Sequence, residues 1–257
     1  MNKLHQIIHY IKHQLQAGNA HSLHSPFVYD LYTRVISMHK NYYCFSNIEA
    51  LRLKLASDNS SFEKEEFGTG KNKIVQVNEV LQRAVKPRKQ AQLLFRLINY
   101  FHSKNILEIG TSLGITTAYL ASVDSTSRVL TLEGCSNTLA VAKNNLDLLR
   151  LKNITCLAGD FSNTLPQALD TLVSVDFVFF DGNHQYQASM DYFEQCLTHA
   201  HEQSVFVFDD IYWSEGMTRA WKEIIQHPKV SVSIDLYHVG LIFFRSNINK
   251  QHHRLKF

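Results

Sequence analysis

The sequence has few of the residues that build disulfide scaffolds, zinc sites or membrane spans. Its four cysteines form no C-x-x-C pair and no spacing typical of a zinc site, so we expect buried thiols in a reducing compartment. No apolar run approaches the roughly 18 residues that a membrane helix requires. The start of the sequence has no uninterrupted apolar stretch typical of a signal peptide. These absences predict a soluble cytoplasmic protein with no membrane partner.

The chain also lacks a strong excess of either charge. Lys and Arg number 26 and Asp and Glu number 23, and the resulting net charge of +3 is too small by itself to indicate nucleic-acid binding. The hydrophobic share of 45% and the charged share of 19% are ordinary for a globular protein and exclude a disordered or low-complexity chain. A length of 257 residues predicts one or two domains.

The pattern of the sequence changes near Lys86-Pro87. Residues 1–85 have helical and irregular patterns, whereas residues 86–257 alternate short apolar runs with amphipathic stretches. Within the first part, the polar residues 57–73 predict a long surface loop, a type that often forms a lid or a binding loop or is disordered. We therefore predict a helical extension at residues 1–85 and an α/β domain at residues 86–257.

The first predicted helix, at residues 3–16, has one apolar stripe and one row of histidines. The stripe consists of Leu4, Ile7, Ile8, Ile11 and Leu15, and the row consists of His5, His9 and His13. We expect the histidines to face water, since no carboxylate or cysteine joins them as a metal ligand. The stripe resembles a narrow packing seam, which predicts either a homodimer or packing against the chain's own α/β core.

Five apolar segments rich in β-branched residues alternate with amphipathic segments in the second part. The predicted strands are 105–109, 128–132, 154–157, 175–180 and 204–208. Two further runs, 230–236 and 241–245, are separated by a turn-like segment and predict a closing antiparallel hairpin. The expected fold is a doubly wound, Rossmann-like α/β sheet, mostly parallel, with this hairpin at its C-terminal side.

Acidic residues recur where the predicted strands end. They are Glu108 within the first strand and, at the ends of the next four, Glu133, Asp160, Asp181 and Asp209-Asp210. Ligands of open α/β sheets bind outside the carboxyl ends of the strands. Carboxylates gathered at one edge repel each other unless cations offset them, so the pattern favours a binding edge over helix capping alone.

A glycine-containing turn follows the first of these strands. Gly110 and Gly114 flank it, and glycines in such a turn let the backbone approach a ligand closely. Glu133 comes about 20 residues later, the spacing at which a carboxylate accepts hydrogen bonds from ribose hydroxyls. Together with Asp160, these residues predict a nucleoside-containing cofactor.

In these segments the sequence resembles the class I S-adenosylmethionine (SAM)-dependent methyltransferases. ILEIGTSLG is similar to their first motif, LEG to their second-strand acid and AGD to their third-strand acid. The resemblance implies that the turn binds the methionine part of SAM, with Glu133 at the ribose and Asp160 near the adenine. The residues implied for the turn are Glu108, Gly110, Thr111, Ser112 and Gly114.

A second resemblance, to metal-dependent O-methyltransferases, is carried by VFFDGNHQY and FDDIYW. That group includes catechol-type enzymes and macrocin-type sugar enzymes. The resemblance implies that Asp181, Asp209 and Asp210 hold a divalent cation, with Mg²⁺ the expected ion, and that His184 is the base. The catechol type has Asp-Asn where this chain has Asp209-Asp210, and Lys where it has His184, so the pattern is closer to the sugar-modifying branch.

Elementary chemistry agrees with this implied site. Carboxylates are hard oxygen ligands suited to Mg²⁺ or Mn²⁺, and a cation bound to a hydroxyl lowers the pKa of that hydroxyl. A neutral histidine nearby can then accept the proton. The prediction is O-methylation of a small molecule or sugar, with Asp181 and His184 as the catalytic residues.

Three alternatives remain open from the sequence. GTSLG satisfies the G-x-S-x-G pattern of a serine hydrolase, although no HGGG-like oxyanion segment precedes it. Basic residues near residue 86 and in the tail 250–256 are compatible with an RNA-modifying methyltransferase of the same fold. A non-enzymatic scaffold that pairs through its N-terminal helices is the third alternative.

Overall fold

The computed structural model describes residues 3–66 and 71–257. Its helices are α1 (Lys3–Gln16), α2 (Pro26–Leu31), α3 (Phe45–Ala56), α4 (Val77–Ala84), α5 (Arg88–Phe101), α6 (Ile115–Ala121), α7 (Ser136–Leu148), α8 (Phe161–Leu172), α9 (Tyr186–Leu197) and α10 (Glu215–Gln226). Its strands are β1 (Ser61–Glu66), β2 (Lys71–Gln76), β3 (Asn105–Ile109), β4 (Arg128–Glu133), β5 (Ile154–Ala158), β6 (Val175–Phe180), β7 (Ala200–Asp209), β8 (Val232–Asp235), β9 (Val239–Phe243) and β10 (Gln251–Arg254). The alternation of strands and helices after residue 104 confirms the predicted α/β class.

The chain forms two compact units. One unit comprises residues 39–172, and the other comprises residues 1–38 and 173–257. The compact units divide the chain at other positions and do not test the division predicted between residues 85 and 86, which stays a prediction. Among the described helices, none is both long enough and apolar enough to cross a bilayer.

The unit of residues 39–172 is built on three parallel strands. β4 pairs with β3 on one side and with β5 on the other, with Leu107 opposite Leu130. These strands are apolar and β-branched because helices cover parallel strands on both faces. A cluster of buried residues from α3, α4, α5 and α6 packs together in the same unit, and it includes Phe45, Phe95 and Tyr119.

The loop predicted at residues 57–73 is wrong over most of its length. β1 and β2 form an antiparallel hairpin there, and residues 67–70 lie outside the described residues. The hairpin is polar, so its sequence lacks the alternation that indicates a strand. Contacts with the start of α7 stabilise it: the Glu65 amide donates to Cys135 Sγ at 3.4 Å and Asn137 Nδ2 to the Glu63 carbonyl at 2.9 Å.

The other unit contains the remaining strands. β6 and β7 are parallel, β7 pairs antiparallel with β9, and β9 pairs antiparallel with β8. The antiparallel pairing of β8 and β9 confirms the predicted closing hairpin. β10, which the polar sequence at residues 251–254 did not indicate, adds a parallel edge strand beside β8.

The orientation predicted for the histidine row of α1 is wrong. His13 is buried, and its Nε2 lies 3.4 Å from Asp235 Oδ1. The His9 ring stacks on Tyr212 with 4.6 Å between centroids, and His5 Nε2 lies 2.9 Å from Thr218 Oγ1. The histidines face the protein because this surface offers aromatic rings and hydrogen-bonding partners, and the apolar stripe faces away from it.

The buried carboxylate of Asp235 lies beside His13 of α1 and accepts hydrogen bonds from several neighbouring groups. Asp235 is fully buried and accepts hydrogen bonds from the Tyr212 hydroxyl at 2.5 Å, from Arg254 Nε at 3.0 Å and from the Tyr237 amide at 2.8 Å. Burial of the phenol, reinforced by this carboxylate, raises the pKa of Tyr212. The Tyr212 hydroxyl therefore stays protonated and donates to Asp235 at neutral pH.

Asp235→Asn should lower the free energy of unfolding by about 2 to 3 kcal/mol, the scale of lost hydrogen bonds to a charged group. Urea unfolding followed by circular dichroism measures the change. The matched control is Asp147→Asn, whose carboxylate pairs with Lys152 on the surface and should contribute less than about 1 kcal/mol. Equal effects of the two substitutions would show that the Asp235 network does not stabilise the fold.

Candidate active site

The predicted glycine turn joins β3 to α6 and has a backbone that favours glycine. Gly110, Ser112 and Gly114 have positive φ angles of 109°, 50° and 79°. A Cβ on Gly114 would lie 3.3 Å from Ala142 Cβ, so this position combines a strained conformation for other residues with a close approach to α7. The Gly110 amide donates to the Leu132 carbonyl at 2.9 Å, which holds the turn against β4.

Glu133, at the end of β4, is fixed against the same turn. Its Oε2 accepts a hydrogen bond from the Ser112 amide at 2.9 Å, and its Oε1 accepts one from the Cys135 amide at 3.1 Å. Each oxygen of an ionised carboxylate accepts more than one hydrogen bond. The structure therefore brings Glu133 and the glycine turn together, with a carboxylate already oriented before a ligand binds.

Ser112 contributes a buried hydroxyl to this group. Within the described part of the chain, its Oγ has no hydrogen-bond partner although it is buried. A buried polar atom without a partner costs free energy, which a bound polar ligand can recover. The buried Ser112 hydroxyl is therefore a feature of this turn that fits a polar cofactor such as SAM.

Glu108 and Thr111 lie in the protein interior. Glu108 is fully buried, and its Oε2 accepts hydrogen bonds from Thr117 Oγ1 at 2.5 Å and from Thr131 Oγ1 at 2.7 Å. The Thr111 and Thr131 hydroxyls are 2.6 Å apart. These hydroxyl contacts tie β3, β4 and α6 together, so both side chains support the turn from within. Their direct contact with a cofactor stays a prediction.

Asp160 lies at the exposed start of α8. Its Oδ1 accepts a hydrogen bond from the Ser162 amide at 2.7 Å, an arrangement typical of helix capping. Hydrogen bonding by Ser162 lowers the pKa of Asp160, so the carboxylate is ionised at neutral pH. One capping interaction leaves Asp160 with further acceptor capacity, and its predicted role near adenine stays a prediction.

In the other unit, Asp181, His184 and Asp209 form a cluster of metal-ligand type. One ligand atom from each lies within 4.8 Å of the other two, and His184 Nε2 is 3.8 Å from Asp181 Oδ1. Asp181 follows β6, and Asp209 ends β7, which pairs with β6 in parallel. The parallel pairing brings the two carboxylates to the same end of the strands.

Asp210 lies outside this cluster. β7 ends at Asp209, so Asp210 begins the segment that leaves the strand. Asp210 has a φ of 50°, and its amide donates to the His238 carbonyl at 2.7 Å. The ligands implied by the sequence were Asp181, Asp209 and Asp210. The structure brings Asp181 and Asp209 together, and His184 is the third group within ligand distance.

The chemistry of the cluster fits a divalent cation. The two carboxylates supply hard oxygen donors of the type that suits Mg²⁺ or Mn²⁺, and the imidazole lies within reach of the same position as a ligand or a base. Asp209 is fully buried, and a cation among these groups would stabilise a carboxylate in that environment. The residues present thus fit the predicted metal.

Three aromatic residues near the cluster have different environments. Trp213 is partly exposed, and its ring centroid lies 6.4 Å from that of His184. Tyr212 is buried against Asp235, and the Tyr186 hydroxyl donates to Glu223 Oε2 at 2.5 Å. Trp213 therefore lies beside the cluster, with its ring in contact with that of His184.

Known proteins share part of this sequence and its fold. A family model described as a methyltransferase domain matches residues 107–211. No curated protein sequence matches the chain.

Several solved structures share the fold. The O-methyltransferase TomG from Streptomyces achromogenes, involved in tomaymycin synthesis and solved in complex with SAM, has a TM-score of 0.59 and 18% identity, over 85% of this chain and 95% of that one. An O-methyltransferase from Bacillus cereus, solved with SAH, has a TM-score of 0.56 and 19% identity, over 80% and 93%. The SAH-bound methyltransferase PaMTH1 from Podospora anserina has a TM-score of 0.60 and 14% identity, over 82% and 91%.

Likeness at these identities establishes the common fold, and the family match establishes the type of domain within it. The family match therefore confirms the predicted resemblance to class I SAM-dependent methyltransferases and indicates a methyltransferase domain over residues 107–211.

Proposed function

We propose that this chain transfers the methyl group of SAM to a hydroxyl of a small molecule or sugar, with the assistance of a divalent cation. The observation that carries the proposal is the cluster of Asp181, His184 and Asp209, because it gathers two carboxylates and an imidazole with ligand atoms within 4.8 Å of one another. Two of the similar structures, from Streptomyces and Bacillus, are described as O-methyltransferases, which supports an oxygen acceptor.

In the proposed donor site, each group of the glycine turn has a separate task. The Ser112 hydroxyl and the backbone at Gly110 and Gly114 hold the methionine part of SAM. The Glu133 carboxylate accepts hydrogen bonds from the ribose hydroxyls, and its existing bonds to two amides fix its direction. Asp160 lies near the adenine. The fixed backbone and carboxylate lower the entropy lost when the donor is aligned.

In the proposed acceptor site, Asp181 and Asp209 hold the cation and His184 is the base. When bound, a divalent cation lowers the pKa of a hydroxyl on the acceptor. His184 Nε2 accepts the hydroxyl proton, and the acceptor oxygen forms a bond to the methyl carbon as the carbon–sulfur bond of SAM breaks. The products are a methyl ether and S-adenosylhomocysteine (SAH), and the proton is left on His184. Mg²⁺ is the proposed metal and the cytoplasm the proposed location.

A radiolabelled methyl group tests this function directly. The pure protein is incubated with methyl-labelled SAM, Mg²⁺ and separate panels of phenols, sugars and RNA, with and without EDTA. We expect label in the phenol or sugar panel and its loss with EDTA. Labelling of RNA, or full transfer to any panel in EDTA, would contradict the proposed acceptor or the proposed metal respectively.

The hydrolase alternative receives no support from the geometry of Ser112. A serine nucleophile needs a base hydrogen-bonded to its Oγ. The Ser112 Oγ has no hydrogen-bond partner among the described residues, histidine included. The same hydroxyl suits a ligand contact in the proposed donor site.

A further inference from the structure

Helix α1 has one face bound to its unit. Gln6 Nε2 donates to the Trp213 carbonyl at 3.0 Å, and the Tyr237 hydroxyl donates to the Gln6 carbonyl at 2.9 Å. His9 stacks on Tyr212, and His13 is buried. These contacts fix the rotation of α1 about its axis, so the opposite face of the helix is held toward solvent.

The solvent face carries an apolar seam with the spacing of a coiled coil. Leu4, Ile8, Ile11 and Leu15 are separated by four, three and four residues, the alternation that keeps one line of side chains toward a helical partner. Their exposed fractions are 65%, 41%, 52% and 81%, and Ile7 beside them is 54% exposed. We call these five residues the α1 seam. An exposed apolar patch of several hundred Å² on a soluble protein is often a binding surface.

We propose that the α1 seam binds the α1 seam of a second copy of this chain. The five side chains present roughly 500 Å² of exposed surface per copy, a large part of the ~800 Å² per partner found in standard interfaces. Each copy offers the same patch, as a two-fold interface requires. This inference concerns assembly and does not depend on the proposed function.

The arrangement of the seam favours an antiparallel pair. Leu4 then faces Leu15 of the second copy, Ile8 faces its Ile11, and the helix dipoles oppose each other. Lys3 and Lys12 lie off the seam, so neither charge is buried by the pairing.

The seam fits a helix better than a membrane surface. Helices that lie in a bilayer interface have a broad apolar face, with tryptophan or phenylalanine, and many basic residues. The α1 seam is one narrow line of aliphatic residues, and α1 contains two lysines and no arginine. An anionic membrane surface is the alternative binding partner for the α1 seam.

Sedimentation equilibrium of the full chain tests the proposal. We expect twice the chain mass for the native protein at micromolar concentration, and a dimer dissociation constant at least about 100-fold higher for Ile11→Asp/Leu15→Asp, since central apolar contacts dominate such interfaces. The control is Leu53→Asp, because Leu53 on α3 is 72% exposed but lies outside the seam. A native monomer, or a double variant that dimerises as tightly as the native chain, would overturn the proposal.

Cross-linking provides a second measurement that does not depend on the folding of the aspartate variants. Leu4→Cys protein mixed with Leu15→Cys protein should form disulfide-linked pairs, and Leu4→Cys alone should not. Self-linked Leu4→Cys pairs would contradict the antiparallel arrangement. A native chain that is monomeric and sediments with vesicles of phosphatidylserine would replace the second copy by a membrane as the occupant.

Discussion

Replacing Asp209 by asparagine should lower methyl transfer by more than about 100-fold, beyond the 10–100-fold typical when only an outer-shell partner of a metal site is removed. The substitution keeps the side-chain shape but removes the charge from a fully buried position of the Asp181–His184–Asp209 cluster. Mn²⁺ binding measured by electron paramagnetic resonance should weaken in parallel with turnover. Affinity for SAH should stay within about threefold, because the proposed donor residues are unchanged.

Asp210→Asn is the matched control for this substitution. It removes the same charge from the next residue, which lies outside the cluster. We expect Mn²⁺ affinity to stay within about threefold of native, since Asp210 is not a ligand in the proposal. If Asp210→Asn abolished Mn²⁺ binding and Asp209→Asn did not, the assignment of the ligands would be reversed.

His184→Ala should lower kcat by about 10²- to 10⁴-fold, the range for loss of a general base. Mn²⁺ affinity should change by less than about threefold, and the acidic limb of the pH–rate profile, which reports protonation of the base, should disappear. His201→Ala is the control, because His201 belongs to another His–Asp pair of the same unit, with Nε2 2.8 Å from Asp176 Oδ1. It should leave kcat nearly unchanged.

The two roles that the geometry allows for His184 give different results. As a base, it affects kcat and the pH profile. As a ligand, it affects Mn²⁺ affinity as strongly as Asp209→Asn does. A parallel loss of Mn²⁺ affinity in His184→Ala would remove the base role, and a kcat within twofold of native would remove His184 from the mechanism.

The α/β core was predictable because its signals are local. Buried parallel strands such as Val175–Phe180 are mostly apolar, with a polar or glycine residue where the strand gives way to a turn. The proximity of Asp181 to Asp209 followed from the same reasoning, since parallel strands end at one edge. The pairing of Glu133 with the glycine turn is a similar consequence of adjacent parallel strands.

The remaining features depend on tertiary contacts that no local pattern indicates. The side of α1 that faces the protein is set by Tyr212, Asp235 and Tyr237, which lie more than 200 residues away in sequence. The polar hairpin of β1 and β2 is stabilised by contacts with α7 rather than by its own alternation. The different positions of Asp209 and Asp210 depend on the end of β7 at Asp209 and on the positive φ of Asp210.

Binding of SAH, measured by titration calorimetry, tests the central claim most directly, namely that the glycine turn and Glu133 hold the adenosyl donor. We predict binding to the native chain with a dissociation constant on the order of micromolar and at least a tenfold weaker one for Glu133→Gln, the loss of about one charge-assisted hydrogen bond. Absence of heat with the native chain at millimolar SAH, or equal affinity of Glu133→Gln, would contradict it.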